Sequence, residues 1–243
     1  MQTIILAAGI GSRLAVLSDG APKALIEVAG RPLIHYALAF ARAAGADHRI
    51  VVGGFGHADL VRRLESRDPD AVVVENSEFR KGNLLSFLAG RARLEPGGFL
   101  LMGTGRIYNP AIARVVAEAA ASADEVTAFC DRDRGLGPDG IVVRLDAGGR
   151  VAELGERADD ADLGYVGLTY VPAARVPAHG DAARRALERW GESAHVETVL
   201  SELAAAGAPP AAVDISGHGW FEIDEPGDRE AADAALFSHK WWT

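Results

Sequence analysis

An apolar run, Thr3-Ile4-Ile5-Leu6, gives way without a spacer to Ala7-Ala8-Gly9-Ile10-Gly11-Ser12-Arg13-Leu14. β-branched residues ending in small ones read as a buried strand that opens into a glycine loop. The same kind of run recurs at Arg49–Val52, Ala71–Glu75, Phe99–Met102 and Val126–Cys130, with helical patterns between. Pro32 opens a helix in which Leu33, Ile34, Ala37, Leu38 and Ala41 repeat at helical spacing and Gly45 supplies the cap. Further helices are expected over His57–Arg67, Asn83–Leu94 and Pro110–Ser122. Strands alternating with helices predict an α/β fold with a mainly parallel sheet, in which ligands bind beyond the carboxyl ends of the strands. Residues 7–13 fall at such an end.

Gly9 and Gly11 let the loop adopt positive φ and bring backbone N–H groups close to a ligand. A nest of amides binds anions, and Arg13 adds a planar cation suited to phosphate oxygens. Lys23 contributes a second, point-like charge, with Pro22 holding Ala21 extended before it. The alternative is an ordinary strand-to-helix turn carrying a surface Arg and Lys. A dinucleotide fingerprint is excluded because Leu14 stands where a third glycine is required, and a Walker A loop because no G-K-S/T follows the glycines directly.

With 243 residues and 49% hydrophobic content, the chain can bury a core for one α/β domain with a smaller subdomain. Its net charge of -9 argues against nucleic acid or an anionic membrane as partner, since phosphate backbones reward dense Lys and Arg. Cys130 lies in an apolar run and reads as a core residue. The N-terminus has no basic region and its apolar run is interrupted, so no signal peptide is expected, and no run reaches the length of a membrane span. A cytoplasmic location follows as the expectation.

The second half is less regular. Gly140–Leu145 and Arg150–Leu154 read as a hairpin over Asp146–Gly149, Gly164–Val171 as a strand, and Ala182–Trp190, Val196–Ala206 and Asp228–Phe237 as helices. Asp159, Asp160 and Asp162 form a charge cluster expected in a solvated loop. Trp220-Phe221-Glu222-Ile223-Asp224 is strand-like, which puts Glu222 and Asp224 on one face, where they either converge on a hard cation or sit exposed at an edge. Lys81-Gly82-Asn83-Leu84-Leu85-Ser86 precedes a helix, where free amides and small polar groups can read a base or ribose, or form a plain capped helix start. Trp241-Trp242 points to a docking surface, and with it a homodimer.

Taken together, LAAGIGSRL and APKALIEVAGRPLI resemble the N-terminal signature of the sugar-phosphate nucleotidyltransferase superfamily, in its inositol-1-phosphate and phosphocholine cytidylyltransferase group. The resemblance extends to about residue 237 and implies a Rossmann-like three-layer sandwich. It implies a nucleotide-binding part over about residues 1–130 and an acceptor-binding part, β-rich, after it. The loop from Leu6, Ala7 and Ala8 through Gly9, Gly11, Ser12 and Arg13 would then wrap the base and phosphates of an NTP, with Arg13 and Lys23 as the catalytic cations. Gly82, Asn83 and Ser86 match a nucleotide-holding stretch that favours CTP, and Trp220–Asp224 matches a C-terminal metal motif, making Asp224 and Glu222 the expected Mg²⁺ ligands.

The chain departs from that pattern in two places. The family's strand ends in M-G-D-H-x-Y, whose aspartate holds the metal, but here Met102-Gly103 is followed by Thr104, Gly105 and Arg106. The later G-K segment reads Gly155-Glu156-Arg157. Arg106 and Arg157 are candidates for contacts with pyrophosphate or the acceptor phosphate. Three outcomes stay open: a metal held by Glu222, Asp224 and the triphosphate; an altered geometry; or loss of transferase activity. The resemblance therefore implies transfer of CMP from CTP to a small phosphorylated alcohol or phosphonate, with a nucleotide-binding protein lacking turnover as the alternative. The aromatics Tyr165, Tyr170, Trp190, Trp220 and Phe221 are candidates for a choline cage or for core.

Overall fold

The structure is a computed structural model and describes residues 1–17, 20–133, 140–156, 161–239 and 241–242. Arg157, Asp159 and Asp160 lie outside the described residues. In chain order the elements are β1 (Gln2–Ala7), β2 (Glu27–Val28), β3 (Arg31–Pro32), α1 (Leu33–Ala43), β4 (His48–Gly53), α2 (His57–Glu65), β5 (Val72–Glu75), α3 (Asn83–Arg91), β6 (Phe99–Gly103), β7 (Arg106–Tyr108) and α4 (Pro110–Ser122). There follow β8 (Thr127–Asp131), β9 (Ile141–Leu145), β10 (Val151–Glu156), β11 (Leu163–Val171), α5 (Val176–Trp190), α6 (Val196–Ala205), β12 (Ala211–Asp214), β13 (Trp220–Glu222) and α7 (Pro226–His239).

One sheet runs β10-β9-β11-β6-β1-β4-β5, with β8 on β11 and β12 on β8. β6, β1, β4 and β5 are parallel, whereas β11 runs antiparallel to β6 and β8. Alternation along the strands splits the apolar residues between two cores. Ile5, Val51, Leu100 and Met102 meet α1, α2 and α4 on one face. Ile4, Ile50, Val52 and Leu101 meet α3, α5 and α6 on the other. The result is the expected three-layer sandwich. A third, smaller core joins Leu14 of the glycine loop to Leu33, Ile107, Ile223 and Leu236. It fixes the loop against the C-terminal helix.

The expected strands and helices of the first half form within a few residues, and the hairpin turns at Asp146, with Gly149 at φ 74°. Gly45, at φ 86°, ends α1 as anticipated. Three boundaries differ. α5 begins at Val176, six residues before the apolar spacing suggests, because Pro177 is tolerated in a first turn and Gly180 admits the Arg91 guanidinium. β12, an Ala-rich stretch after Pro209-Pro210, owes its strand form to parallel pairing with β8 rather than to its own propensity. β13 ends at Glu222, so Asp224 lies in the turn before α7. Trp241 and Trp242, expected at a docking surface, are half-buried against their own domain, with Trp242 Nε1 donating to Tyr108 O at 2.8 Å.

His179 of α5 is 1% exposed, set edge-on to Phe87 and Phe99, and its Nδ1 has no partner. Burial, helped by the charge of Arg91, pushes its pKa down to about 3. Only the unfolded chain takes up this proton near the ordinary value of 6.5, so the stability is whole above pH 6.5 and is lost as pH falls toward 3. Chemical denaturation should show stability falling by up to about 1.4 kcal/mol per pH unit below 6.5, and His179→Leu should flatten that slope. An unchanged slope in the variant would contradict this assignment.

Candidate functional site

The carboxyl ends of β1 and β6 open into a cleft of about 330 Å³. Its floor is built by backbone: Leu6 O accepts hydrogen bonds from Thr104 N at 3.1 Å and Thr104 Oγ1 at 3.3 Å, locking the start of the loop to the end of β6. Gly11 sits at φ 68°, and a Cβ there would meet Lys23 Cβ at 2.8 Å. Glycine is therefore what lets the loop close on the Pro22-Lys23 segment.

Leu6, Ala8, Gly9, Lys23, Asn83, Ser86 and Arg106 line the cleft, as expected. Ala7 is buried behind it, and Ser12 and Arg13 lie exposed at the 3₁₀ turn that follows the loop. Around Lys81–Ser86 backbone amides are already engaged, which favours the capped-helix-start alternative for that part of the stretch. Gly82 N donates to Glu192 O at 2.6 Å and Leu84 N to Ala194 O at 3.2 Å, so another segment takes up the N-cap amide and one of the first-turn donors of α3. A Cβ on Gly82 would lie 2.1 Å from Ala194 O, so this glycine serves that packing. Asn83 Oδ1 accepts from Val196 N at 2.8 Å, and Ser86 Oγ accepts from Asn76 Nδ2 at 2.9 Å. Lys81 is paired with Glu192 at 2.6 Å and with Glu78.

Charges from both ends of the chain meet at one corner. Lys23 Nζ is hydrogen-bonded to Asp224 Oδ1, and Arg13 lies 3.7 Å from Asp224 Oδ2. Gly105 leaves room for the lysine, since a Cβ there would stand 2.8 Å from Nζ. Ile223 N donates to Gly105 O at 2.8 Å, joining the β6–β7 turn to the segment that carries Asp224. Burial opposes ionisation of Asp224, but Lys23, Arg13 and Arg106 outweigh it and hold the carboxyl below the usual carboxylate range. Asp228 accepts from the backbone N–H groups of Asp224 and Glu225, fixing this turn at the start of α7.

Glu222 does not join Asp224 in a shared carboxylate face. It pairs with Arg106 at 2.5 Å, and the Arg106 guanidinium lies 5.9 Å from the Trp220 ring centre. Gly167, at φ 76° in a bulge of β11, makes room for that guanidinium. Among the described residues, no group of three or more His, Cys, Asp or Glu is arranged to hold a metal ion. Of the aromatics, Tyr165 lines the cleft, Tyr170 and Trp220 are core, and Trp190 is half exposed. Sequence reasoning missed Phe79, Gly167, His195 and Glu197 as lining residues. His195 and Glu197 flank the start of α6, a polar helix start like that of α3, and this was the available signal.

The family model of the MobA-like NTP transferase domain matches residues 3–206, and the chain belongs to that family. The 2-aminoethylphosphonate cytidylyltransferase of Lancefieldella rimae is 31% identical over 83% of this chain and 76% of that protein. The CMP-5'-(3-aminopropyl)phosphonate synthase of Streptomyces rubellomurinus is 32% identical over 96% of this chain, but the chain spans 38% of its length. Among solved structures, the inositol-1-phosphate CTP transferase of T. maritima superposes with a TM-score of 0.79 at 21% identity, covering 97% of this chain and 96% of that one. The CTP:phosphocholine cytidylyltransferase of Streptococcus pneumoniae gives 0.75 at 19%, covering 97% and 98%. These two establish the fold.

Gly167→Ala should cost about 1–3 kcal/mol of stability, because it combines strained backbone with a collision against Arg106. Denaturant titration checks this, and a variant as stable as the parent would show that Arg106 is not held as described.

Proposed function

We propose that this chain transfers CMP from CTP to a small phosphorylated or phosphonate acceptor. The observation that carries the reading is Lys23, clasped between the glycine loop and Gly105 against Asp224 at the sheet's carboxyl edge. The acceptor oxygen attacks the α-phosphorus in line, the bond to the β-phosphate oxygen breaks, and pyrophosphate leaves. Little covalent work falls to the protein, so positioning and charge stabilisation carry the rate. The loop amides and Arg13 bind phosphate oxygens, Lys23 meets the charge that develops on them, and Asn83 and Ser86 hold the nucleoside. Family membership and the cytidylyltransferase relatives support this assignment. A cytoplasmic setting suits it, and no described helix is long and apolar enough to cross a membrane.

Magnesium fits through Asp224. That carboxylate is ionised and half-buried, and Mg²⁺ commonly takes only one or two protein carboxylates, drawing its other ligands from phosphate and water. Glu222, engaged by Arg106, is the weaker candidate. When bound, the ion neutralises phosphate charge.

The position of Thr104 favours a second reading, binding without turnover. The superfamily it resembles has its metal aspartate there, whereas Thr104 is buried and donates its hydroxyl to Leu6 O. A pyrophosphate-release screen of the four NTPs with Mg²⁺ against phosphonate, phosphocholine and polyol phosphate acceptors separates the two. Release with CTP supports the transferase; CTP binding with no release for any pair identifies the second reading. In an active enzyme, Lys23→Ala and Asp224→Ala should each lower turnover about 10²–10³-fold, with CTP still bound by the Asp224 variant. An unaffected rate in either would remove that residue from the site.

A further inference from the structure

The cleft holds three cations and one carboxylate. Lys23, Lys81 and Arg106 are each paired with a carboxylate of their own. Glu197, in the first turn of α6, is the one acidic side chain among the described lining residues. Among the described residues it makes no hydrogen bond or ion pair. A carboxylate partly withdrawn from water and without a cation has room for one. It shares the lining with Arg106 and Tyr165, and its charge reaches both of them, so the Arg106 guanidinium and the bare carboxylate stand in the same part of the cleft.

We propose that Glu197 binds a cationic amine of the acceptor, which makes the substrate class a short zwitterion with an ammonium group at one end and a phosphonate or phosphate at the other. This rests on the transferase reading above. Arg106 and Lys23 draw the anionic end toward the donor phosphates, Glu197 takes the ammonium, and the Tyr165 ring gives the cation an aromatic wall. A polyol phosphate, which has no cationic group, would leave Glu197 unpaired, and this discriminates against it. The competing account, that Glu197 only complements the amide end of α6, predicts no dependence on the acceptor's charge.

The test is calorimetric titration of the protein, loaded with Mg²⁺ and a non-hydrolysable CTP analogue, with 2-aminoethylphosphonate and with 2-hydroxyethylphosphonate, which replaces the ammonium by an uncharged hydroxyl and keeps the phosphonate. The parent should prefer the amine by about tenfold or more, the size of one charge-assisted hydrogen bond. Glu197→Gln should abolish the preference while leaving hydroxyl-acceptor and CTP-analogue affinities unchanged, and Glu197→Asp should restore part of it. Equal binding of both acceptors by the parent, binding of neither, or a Gln variant that weakens both acceptors or the nucleotide alike would overturn the proposal. Selective amine binding without pyrophosphate release under turnover conditions would sink the transferase reading and leave Glu197 assigned. Release with both acceptors at equal kcat/KM would do the reverse.

Discussion

The ion pair between Lys23 and Asp224 organises the site, because it ties together segments 201 residues apart in the chain. On one side lies the loop that closes over Gly11, and on the other the β13–α7 turn capped by Asp228. The β6–β7 turn runs between them, held by the hydrogen bond from Ile223 to Gly105. The pair is partly buried, so losing either member strands a charge rather than merely deleting a contact. The small core of Leu14, Ile107, Ile223 and Leu236 beneath it keeps all three segments in register.

On the proposed transferase reading, that arrangement would let the site work without an aspartate at residue 104. Thr104 spends its amide and hydroxyl on Leu6 and so joins the floor. Arg106 then brings positive charge where the resembling family places negative charge, and Glu222 answers it. One carboxylate, Asp224, is left facing the loop cations. On the proposed reading, a nucleotide entering this corner would compete with Asp224 for Lys23, and a divalent cation on Asp224 would relieve that competition. On the proposed reading, donor and metal would be coupled through that single ion pair.

Much of the architecture was legible in the sequence because it is local. β1, α1, α4 and the Asp146 hairpin follow from short patterns: β-branched runs, helical spacing, a proline at a helix start and glycines at turns. β12 and the early start of α5 were not, since one takes its form from pairing with β8 and the other from room made for Arg91. Around the cleft, the glycine loop, Lys23 and Asp224 were singled out from motifs, but not that Lys23 and Asp224 bond to each other. That the amide of Gly82, just before α3, is taken up was not legible either, because its partner lies 110 residues on at Glu192. His195 and Glu197 reach the cleft only through the same long-range docking of α6 on α3.

On the proposed function, the triphosphate of a nucleotide lies between the loop at residues 9–13 and Lys23. A crystal structure with Mg²⁺ and a non-hydrolysable CTP analogue tests it directly. The account predicts phosphate oxygens within hydrogen-bond reach of Lys23 Nζ and the loop amides, the base beside Asn83 and Ser86, and Asp224 turned from Lys23 toward the metal. A nucleotide bound elsewhere, or bound here with the Lys23–Asp224 pair intact and no phosphate on the lysine, would contradict it.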